Sequence, residues 1–283
     1  MHIARTIDDT RNAIKTARTH GAVIGFVPTM GFLHAGHISL VQTLRDAGAT
    51  FIVASIFVNP RQFGPNEDFA RYPRDEERDA AMLEAADVEL LFLPSVEVMY
   101  PEGATTSIHI GGVSEPLEGE RRPGHFDGVA TVVAKLFNIV QPDLAAFGRK
   151  DAQQCAVIER LVRDLDIPLQ LVFGETLRER DGLAMSSRNA YLSEDDRAKA
   201  PVLHRALRAG EEAIARGTHD VAAIEQVMQR VVGEERGVEI DYLAVIDPET
   251  FLPPVDFARE VLLAGALRVG RTRLIDNIRV SRR

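Results

Sequence analysis

The sequence has a single cysteine, which excludes an internal disulfide and a zinc site built from paired cysteines. It also lacks any apolar run near the roughly 18 residues that a transmembrane helix requires. The first residues do not show the basic-then-apolar pattern of a signal peptide, so we expect a cytoplasmic protein. The formal net charge of −9 argues against nucleic acid or an anionic membrane as a partner.

What is present is enough for a folded globular protein. The chain has 283 residues, of which 45% are hydrophobic, so it can form one large domain or two modest ones. The lone thiol of Cys155 shares a helical face with Ile158, Val162 and Leu165. That pattern favours a buried structural cysteine over a nucleophile. No internal repeat or low-complexity linker interrupts the chain.

Residues 1–174 alternate short apolar runs with helical patterns, which is typical of βαβ units around a parallel sheet. We predict a Rossmann-like, doubly wound α/β domain here. The predicted strands cover residues 23–27, 51–58, 88–93, 144–147 and 169–173. The predicted helices cover residues 38–47, 75–86 and 128–140, the last being apolar almost all round and therefore buried.

The pattern changes after residue 174. Two amphipathic stretches, residues 194–216 and 221–234, are followed by apolar runs over residues 239–245, 261–266 and 272–275. This order predicts a second, smaller α+β domain over residues 175–283. Asp247-Pro248 and Gly270 supply the turns between its strands.

The segment after the first predicted strand, residues 30–37, contains Gly31, His34, Gly36 and His37. We call it the histidine turn. In a parallel sheet it lies beyond a strand's carboxyl end, where free N–H groups of a helix start suit a phosphate. The two histidines, three residues apart, can both donate to phosphate oxygens. Alternatively, the pair is simply solvated or holds a metal ion.

Polar side chains also follow two other predicted strands. Lys150 stands out because only four of the 33 basic residues are lysines, and an ammonium can act as a compact donor to a phosphate. Its alternative role is a surface pair with Asp151, which in turn could merely cap the next helix. Further on, Ser186, Ser187 and Arg188 suit a polyphosphate, although a Ser-Ser-Arg turn is also ordinary loop chemistry.

Together, seven segments spread over nearly the whole chain resemble the pantoate–β-alanine ligase (pantothenate synthetase) family. A lone H-x-G-H would indicate only the nucleotidyltransferase superfamily, whereas the seven together are highly specific. The segments are P28-T-M-G with H34-A-G-H, S55-I-F-V-N-P with Q62-F, Y72-P-R, R122-P-G-H-F-D-G-V, K150-D with Q153-Q, D181-G-L-A-M-S-S-R-N, and R273-L-I-D-N.

The resemblance implies an enzyme that condenses pantoate with β-alanine at the expense of ATP. The reaction runs through a pantoyl adenylate and releases pyrophosphate and AMP. The family also implies Mg²⁺ as a cofactor and a homodimer. Residues 1–174 would bind ATP and pantoate on a sheet of the nucleotidyltransferase type, and residues 175–283 would form a lid domain.

The resemblance assigns roles position by position. His37 takes the place of the proton donor, and His34, Lys150 and Arg188 join it as catalytic residues. Gln62 corresponds to a contact for pantoate and β-alanine and Gln154 to a contact for pantoate; Asn59 is added to the substrate-binding set. The ATP-binding positions are Met30, Gly31, Phe32, Leu33, His34, Ala35, Gly36, His37, Gly148, Arg149, Lys150, Asp151, Leu177, Met185, Ser186, Ser187 and Arg188.

Two arginines depart from the family pattern. Arg149 stands where Glu or Gln is usual, and Arg61 where an uncharged residue is usual. Both put the local charge and the substrate affinity in question. The alternative functions are another H-x-G-H nucleotidyltransferase with a different acceptor, and a non-catalytic nucleotide sensor on the same fold.

Overall fold

The computed structural model describes residues 1–65 and 67–281. The chain divides into two compact units. The first comprises Met1–Arg149 and Gln154–Glu175, and the second comprises Lys150–Gln153 and Thr176–Arg283. Among the described residues, no helix is both long enough and apolar enough to cross a bilayer.

A six-stranded sheet forms the centre of the first unit. Its strands, in chain order, are β1 His2–Ala4, β2 Ile24–Thr29, β3 Phe51–Ile56, β4 Leu90–Phe92, β5 Leu144–Gly148 and β6 Gln170–Gly174. Their spatial order is β1-β4-β3-β2-β5-β6, and every neighbouring pair is parallel. The predicted doubly wound α/β sheet is therefore confirmed.

Seven α-helices and three 3₁₀ turns accompany these strands along the described chain up to residue 164. The helices are α1 Ile7–Thr19, α2 Ala35–Asp46, α3 Glu76–Ala85, α4 Val96–Met99, α5 Glu118–Arg121, α6 His125–Val140 and α7 Ala152–Asp164. The 3₁₀ turns are Pro60–Gln62, Phe69–Arg71 and Arg149–Asp151. Most of α6 is buried, as its apolar sequence predicted.

The two faces of the sheet pack into separate apolar clusters. Because side chains alternate along a strand, Val53 of β3 joins the cluster that contains α6, while its neighbours Ile52 and Ala54 join the cluster that contains α2. Cys155 belongs to the cluster that contains α6 and is 3% exposed, which confirms a buried thiol. The prediction that Leu165 belongs to the same buried helical face is wrong, because Leu165 lies past the end of α7 and is 56% exposed.

The second unit combines helices with an antiparallel sheet. Its elements are α8 Glu194–Lys199, α9 Val202–Ala215, α10 Val221–Gly233, β7 Val238–Ile246, β8 Val261–Val269 and β9 Thr272–Val280, with a 3₁₀ turn at Ser187–Tyr191. The sheet order is β7-β8-β9. Apolar residues of α9, α10 and β8, including Leu207, Met228 and Leu263, form its core. This α+β organisation agrees with the sequence.

One predicted helix of this unit is wrong. The amphipathic stretch over residues 194–216 forms two helices, because Pro201 separates α8 from α9. Proline has no N–H to donate and its ring clashes with the preceding turn of a helix, so the pattern cannot continue through it. The strand β1 and the helix α1 were not predicted from the sequence.

Candidate active site

The histidine turn connects β2 with α2, and side chains hold its backbone in place. The Gly31 N–H donates to Thr29 Oγ1 at 3.1 Å. The next two N–H groups, of Phe32 and Leu33, donate to the two carboxylate oxygens of Asp79 at 2.6 and 2.7 Å. Gly31 has φ +84°, and a Cβ there would lie 2.9 Å from a methyl group of Ile56. Only glycine fits this close approach without strain.

Asp79 of α3 is a site residue that the sequence reasoning missed. Its side chain is buried, and burial raises its pKa while the two backbone N–H donors and Arg78 act in the opposite direction. An ionised carboxylate can accept from both N–H groups at once, as the distances require. The predicted helix over residues 75–86 carries several charged side chains. No local pattern shows that Asp79 contacts Phe32 and Leu33, which lie 47 and 46 positions earlier in the chain.

The two histidines form a reciprocal cap at the start of α2. His34 is the N-cap, and its Nδ1 accepts from the Gly36 N–H at 3.1 Å, while His37 Nδ1 accepts from the His34 N–H at 3.2 Å. The ring centroids are 4.1 Å apart. Because each Nδ1 accepts a hydrogen bond, the proton of each neutral ring resides on Nε2. Both half-exposed rings are therefore held as Nε2–H donors.

This cap corrects one expectation. The N–H groups that were expected to be free for a phosphate are bonded within the protein, from Gly31 through His34 and again at Gly36. A helix start satisfied by its own side chains has less donor capacity left for a ligand. The imidazole Nε2 atoms are consequently the groups in this turn best suited to meet an anion.

Asn59 and Gln62 lie beyond the end of β3, in and next to the 3₁₀ turn. The buried Asn59 amide accepts from the Arg61 N–H at 3.2 Å and from the Tyr100 hydroxyl at 2.9 Å. It donates to Gln62 Oε1 and to the Gly128 carbonyl, both at 3.0 Å. These four bonds use the full capacity of an amide side chain. In this arrangement Asn59 holds Gln62 in place, and its predicted substrate contact stays a prediction.

Gln62 itself retains a donor with a weak partner. Its Nε2 lies 3.1 Å from the sulfur of Met30, and a thioether is a poor acceptor. An oxygen of a substrate would be a better partner for the same N–H. This contact also joins Gln62 to the histidine turn within one unit.

The backbone of Gln62 is fixed by residues of the R122-P-G-H segment. His125 Nδ1 donates to the Gln62 carbonyl at 2.8 Å, and its Nε2 accepts from Arg122 Nη1 at 3.0 Å. Burial, and secondarily the Arg122 charge, lowers the pKa of His125 to about 4. Arg122 also pairs with both carboxylate oxygens of Glu67 at 2.7 and 2.6 Å. A Cβ on Gly128 would lie 2.3 Å from the Arg61 carbonyl, so the helix α6 must have glycine here.

The two unusual arginines are both engaged by their surroundings. The Arg61 guanidinium lies 4.1 Å from the centre of the Tyr100 ring and donates to the carbonyls of Thr106 and Ala104, each at 3.0 Å. Arg149 pairs with Glu175 at 3.2 Å and lies over a phenylalanine ring. Their positive charges are therefore partly compensated within the protein.

The second unit holds most of the other predicted ATP-binding positions. Lys150 Nζ is 3.6 Å from Asp151 Oδ1, which is the pairing that the alternative interpretation predicted. The Leu177 carbonyl accepts from the Met185 N–H at 2.9 Å. The Ser186 hydroxyl accepts from the N–H of Arg188 at 3.3 Å and caps the 3₁₀ turn Ser187–Tyr191.

The remaining predicted positions belong to the first unit. Gly148 ends β5, and its carbonyl accepts from the Cys155 thiol at 3.3 Å. Gln154 is half-buried on α7. A cavity of about 240 Å³ lies where β2, β3 and β4 end, and its lining includes Met30, Gly31 and Asp79. The structure thus brings together the histidine turn, Asp79 and Gln62 at one edge of the sheet.

The protein matches known proteins along almost its full length. A family model described as pantoate-beta-alanine ligase covers residues 2–279. The pantothenate synthetase of Herpetosiphon aurantiacus is 54% identical over 280 residues, 98% of this chain and 99% of the relative. That of Moorella thermoacetica is 50% identical over 278 residues, 98% of each chain.

Solved structures agree with these sequence matches. The crystal structure of pantothenate synthetase from Thermus thermophilus superposes with a TM-score of 0.93 at 49% identity, covering 98% of this chain and 99% of that one. Pantoate-beta-alanine ligase from Francisella tularensis, described as complexed with beta-gamma ATP and β-alanine, gives 0.81 at 33% identity, with coverage of 98% and 97%. On these matches, the chain belongs to the pantoate–β-alanine ligase family.

Proposed function

We propose that this ligase condenses pantoate with β-alanine to pantothenate, consuming ATP and releasing pyrophosphate and AMP through a pantoyl adenylate. The family match supports the reaction, and the Francisella relative was crystallised with an ATP compound and β-alanine. One observation of this structure carries the proposal. The reciprocal histidine cap holds two Nε2–H donors side by side at the carboxyl edge of a nucleotide-binding type of sheet.

In the first step, the pantoate carboxylate attacks the α-phosphate of ATP. A carboxylic acid with a pKa near 4 is already ionised at pH 7, so the attack needs no base. The protein's work is to position the reactants and to stabilise negative charge as pyrophosphate leaves. We assign that work to His34, His37, Lys150 and Arg188. His37 takes the proton-donor position of the family, where its Nε2–H stabilises the developing charge as a hydrogen-bond donor.

The pantoate would be recognised by neutral amides. The Gln62 Nε2, whose present acceptor is a thioether, exchanges that contact for a substrate oxygen, and Gln154 supplies a second amide. An amide can donate to a carboxylate or hydroxyl without the strong attraction of a salt bridge, which leaves the nucleophile reactive. Asn59 supports Gln62 through the 3.0 Å bond to its Oε1.

In the second step, the ammonium group of β-alanine loses one proton to solvent, and the free amine attacks the acyl carbon of the adenylate. A second proton leaves the nitrogen to solvent as the amide forms. The new C–N bond forms as the acyl–oxygen bond to AMP breaks. Gln62 is proposed to contact β-alanine as well as pantoate, which keeps both substrates close to the same carbon. The remaining family positions, from Met30 to Leu33 with Ala35, Gly36, Gly148, Arg149, Asp151, Leu177, Met185, Ser186 and Ser187, are proposed to bind ATP.

Magnesium is proposed as the companion of ATP. Within residues 1–65 and 67–281, no group of three or more His, Cys, Asp or Glu side chains could hold a metal ion. Mg²⁺ commonly keeps several waters and binds through substrate phosphates, so its binding does not require a cage of protein carboxylates. We further propose that residues 1–174 bind ATP and pantoate, that residues 175–283 form a lid, and that the enzyme is a cytoplasmic homodimer.

Isotope exchange tests this function directly. Enzyme with Mg²⁺, pantoate and ATP but no β-alanine should exchange labelled pyrophosphate into ATP, because the adenylate forms before the amine is needed. Exchange without pantoate would indicate a nucleotidyltransferase with another acceptor. Absence of exchange and of pyrophosphate release with all three substrates would leave only nucleotide binding. Exchange that requires β-alanine would contradict the adenylate intermediate.

A further inference from the structure

Two consecutive residues of β9, Asp276 and Asn277, are polar but almost completely buried, at 5% and 7% exposure. They face Gly265 and Ala264 across the sheet. A buried carboxylate and a buried amide both cost free energy unless they are bonded. Their partners therefore show what this part of the strand does.

Asp276 holds the base of the loop that carries Ser186, Ser187 and Arg188. Its two carboxylate oxygens accept from the two terminal nitrogens of Arg178 at 2.5 and 3.0 Å. Such a bidentate pair fixes both the position and the plane of the guanidinium. Arg178 also donates to the Gly182 carbonyl at 3.1 Å and forms an antiparallel bridge with Ala184.

The loop beyond Arg178 is tied down by a second set of contacts. Arg197 of α8 pairs with Glu179 at 2.6 Å and with Asp181 at 2.7 Å. Asn189 Nδ2 donates to the Ala184 carbonyl at 3.1 Å. The short hairpin from residue 177 to residue 185 is thus fixed immediately before the Ser186–Ser187–Arg188 sequence.

Asn277 holds a different segment. Its Nδ2 donates to the backbone carbonyl of Lys150 at 2.8 Å. The same stretch of β9 therefore reaches the lysine segment through Asn277 and, one residue earlier, the 177–188 loop through Asp276. All of these residues belong to the second unit.

We propose that Asp276 and Asn277 are positioning residues for the adenylation step. They set the Lys150 ammonium and the Arg188 guanidinium in a fixed relation before ATP binds. Stabilisation of a transition-state charge depends on donors that are already in place, and a strand with buried, hydrogen-bonded side chains supplies such support. This inference rests on the proposed function, since it assigns the two segments to ATP.

A double-mutant cycle tests the positioning role proposed for Asn277. Leucine has nearly the shape of asparagine but no donor, so Asn277→Leu removes the bond to Lys150. We expect kcat for pantoate-dependent pyrophosphate release to fall about 10-fold, because small misplacements of a catalytic group are costly, while the KM for pantoate stays within about twofold. In a Lys150→Ala background, the same change should cost less than about twofold. A full loss of about 10-fold in that background would overturn the proposal.

The Asp276 half has a matched control in the same sheet. Arg273 of β9 pairs with Asp241 of β7 at 2.8 and 2.7 Å, with a side-chain exposure of 20% against 21% for Arg178. Arg178→Lys and Arg273→Lys each keep the charge. The first loses the bidentate pair with Asp276, and the second loses the contact of two guanidinium nitrogens with Asp241 Oδ2. We expect similar melting temperatures, a kcat loss of about 10-fold for Arg178→Lys, and less than about twofold for Arg273→Lys.

The outcomes separate this inference from the proposed function. Equal kcat losses in the two arginine variants would overturn the positioning role while leaving the reaction intact. A wild-type protein that releases no pyrophosphate would instead refute the function itself. If Asn277→Leu does not fold, as judged by circular dichroism, the more conservative Arg178→Lys comparison decides the matter alone.

Discussion

The histidine turn and the Asn59–Gln62 segment follow adjacent strands of one sheet, yet they use their polar groups in opposite ways. In the turn, the backbone N–H groups are bonded by side chains of Thr29, Asp79 and the histidines themselves. In the segment after β3, the Asn59 side chain is fully bonded, whereas the amide nitrogen of Gln62 donates only to the weakly accepting sulfur of Met30.

The difference shows how one sheet edge can serve two chemistries. The turn offers two half-exposed imidazoles, whose polarisable rings and Nε2 protons suit the charge that develops on a phosphate. The other segment offers a buried neutral amide, which suits the oxygens of a small organic acid. The predictions below separate these roles, beginning with the largest effect.

Substitution His37→Ala removes one of the two ring donors and the acceptor for the His34 N–H. Loss of one preorganised donor to a transition-state charge costs on the order of 10²–10³ in rate, and we expect that loss in pyrophosphate release. The exposed His20 at the end of α1 provides the control, and His20→Ala should keep its turnover. Near-normal turnover of His37→Ala would remove the turn from the chemistry.

Acid should lower the stability of the protein through His125, whose ring is bonded to the Gln62 carbonyl. The pKa of His125 is about 4 in the folded protein against an ordinary value of 6.5, so between these pH values the unfolded chain binds a proton that the folded one does not. Stability is therefore fully present above pH 6.5 and declines by roughly 3 kcal/mol as the pH falls to 4. Urea unfolding across this range should show the decline, and His125→Gln should flatten it. An equal slope in both proteins would contradict the assignment.

Removal of the Gln62 amide should weaken the binding of pantoate but not the binding of ATP. A stranded polar group costs roughly 1–3 kcal/mol, so pantoate affinity should fall by about one to two orders of magnitude in Gln62→Ala, and similarly in Gln154→Ala. Calorimetric titration with each ligand separately measures this. Gln42→Ala, on the exposed side of α2, is the control. An equal loss of ATP affinity would mean that Gln62 supports both regions alike.

The smallest effect is expected at Arg149. Its charge is paired with Glu175, and partly exposed ion pairs contribute about 0–1 kcal/mol, so Arg149→Gln should change ATP affinity by less than about fivefold. Titration of both proteins with ATP at low and moderate salt would measure the difference. A larger, salt-sensitive loss would show that the Arg149 charge contributes more to ATP binding than a partly exposed, paired charge does.

Much of the fold was predictable because it depends on local periodicity. The apolar strands β2 to β6 and the buried α6 could be recognised from short runs of the sequence. The strand β1 gives no such run, because only one of its three residues is buried, whereas all three residues of the equally short β4 are apolar and buried. The division between α8 and α9 has a visible signal in the sequence, since Pro201 lies within the helical stretch.

The site was predictable in its residue types but not in its bonding. The spacing of His34 and His37 indicated an anion site, yet it could not reveal that Nδ1 of each ring caps the helix. Asp79 reaches the turn from another helix, and contacts at such a distance in sequence leave no local pattern. Similarly, the bonds of Asn59 to Tyr100 and Gly128 join residues that are distant in the linear chain, so no local pattern indicates its role in holding Gln62.

The sole thiol of the chain allows local opening of the structure to be measured by chemical labelling. Cys155 joins α7 to the end of β5, next to Arg149, through a hydrogen bond to Gly148. A thiol reagent can modify it only in molecules where that contact has opened, so the labelling rate of the native protein measures the free energy of local opening. Every modified molecule reports the same event, because no second cysteine competes for the reagent.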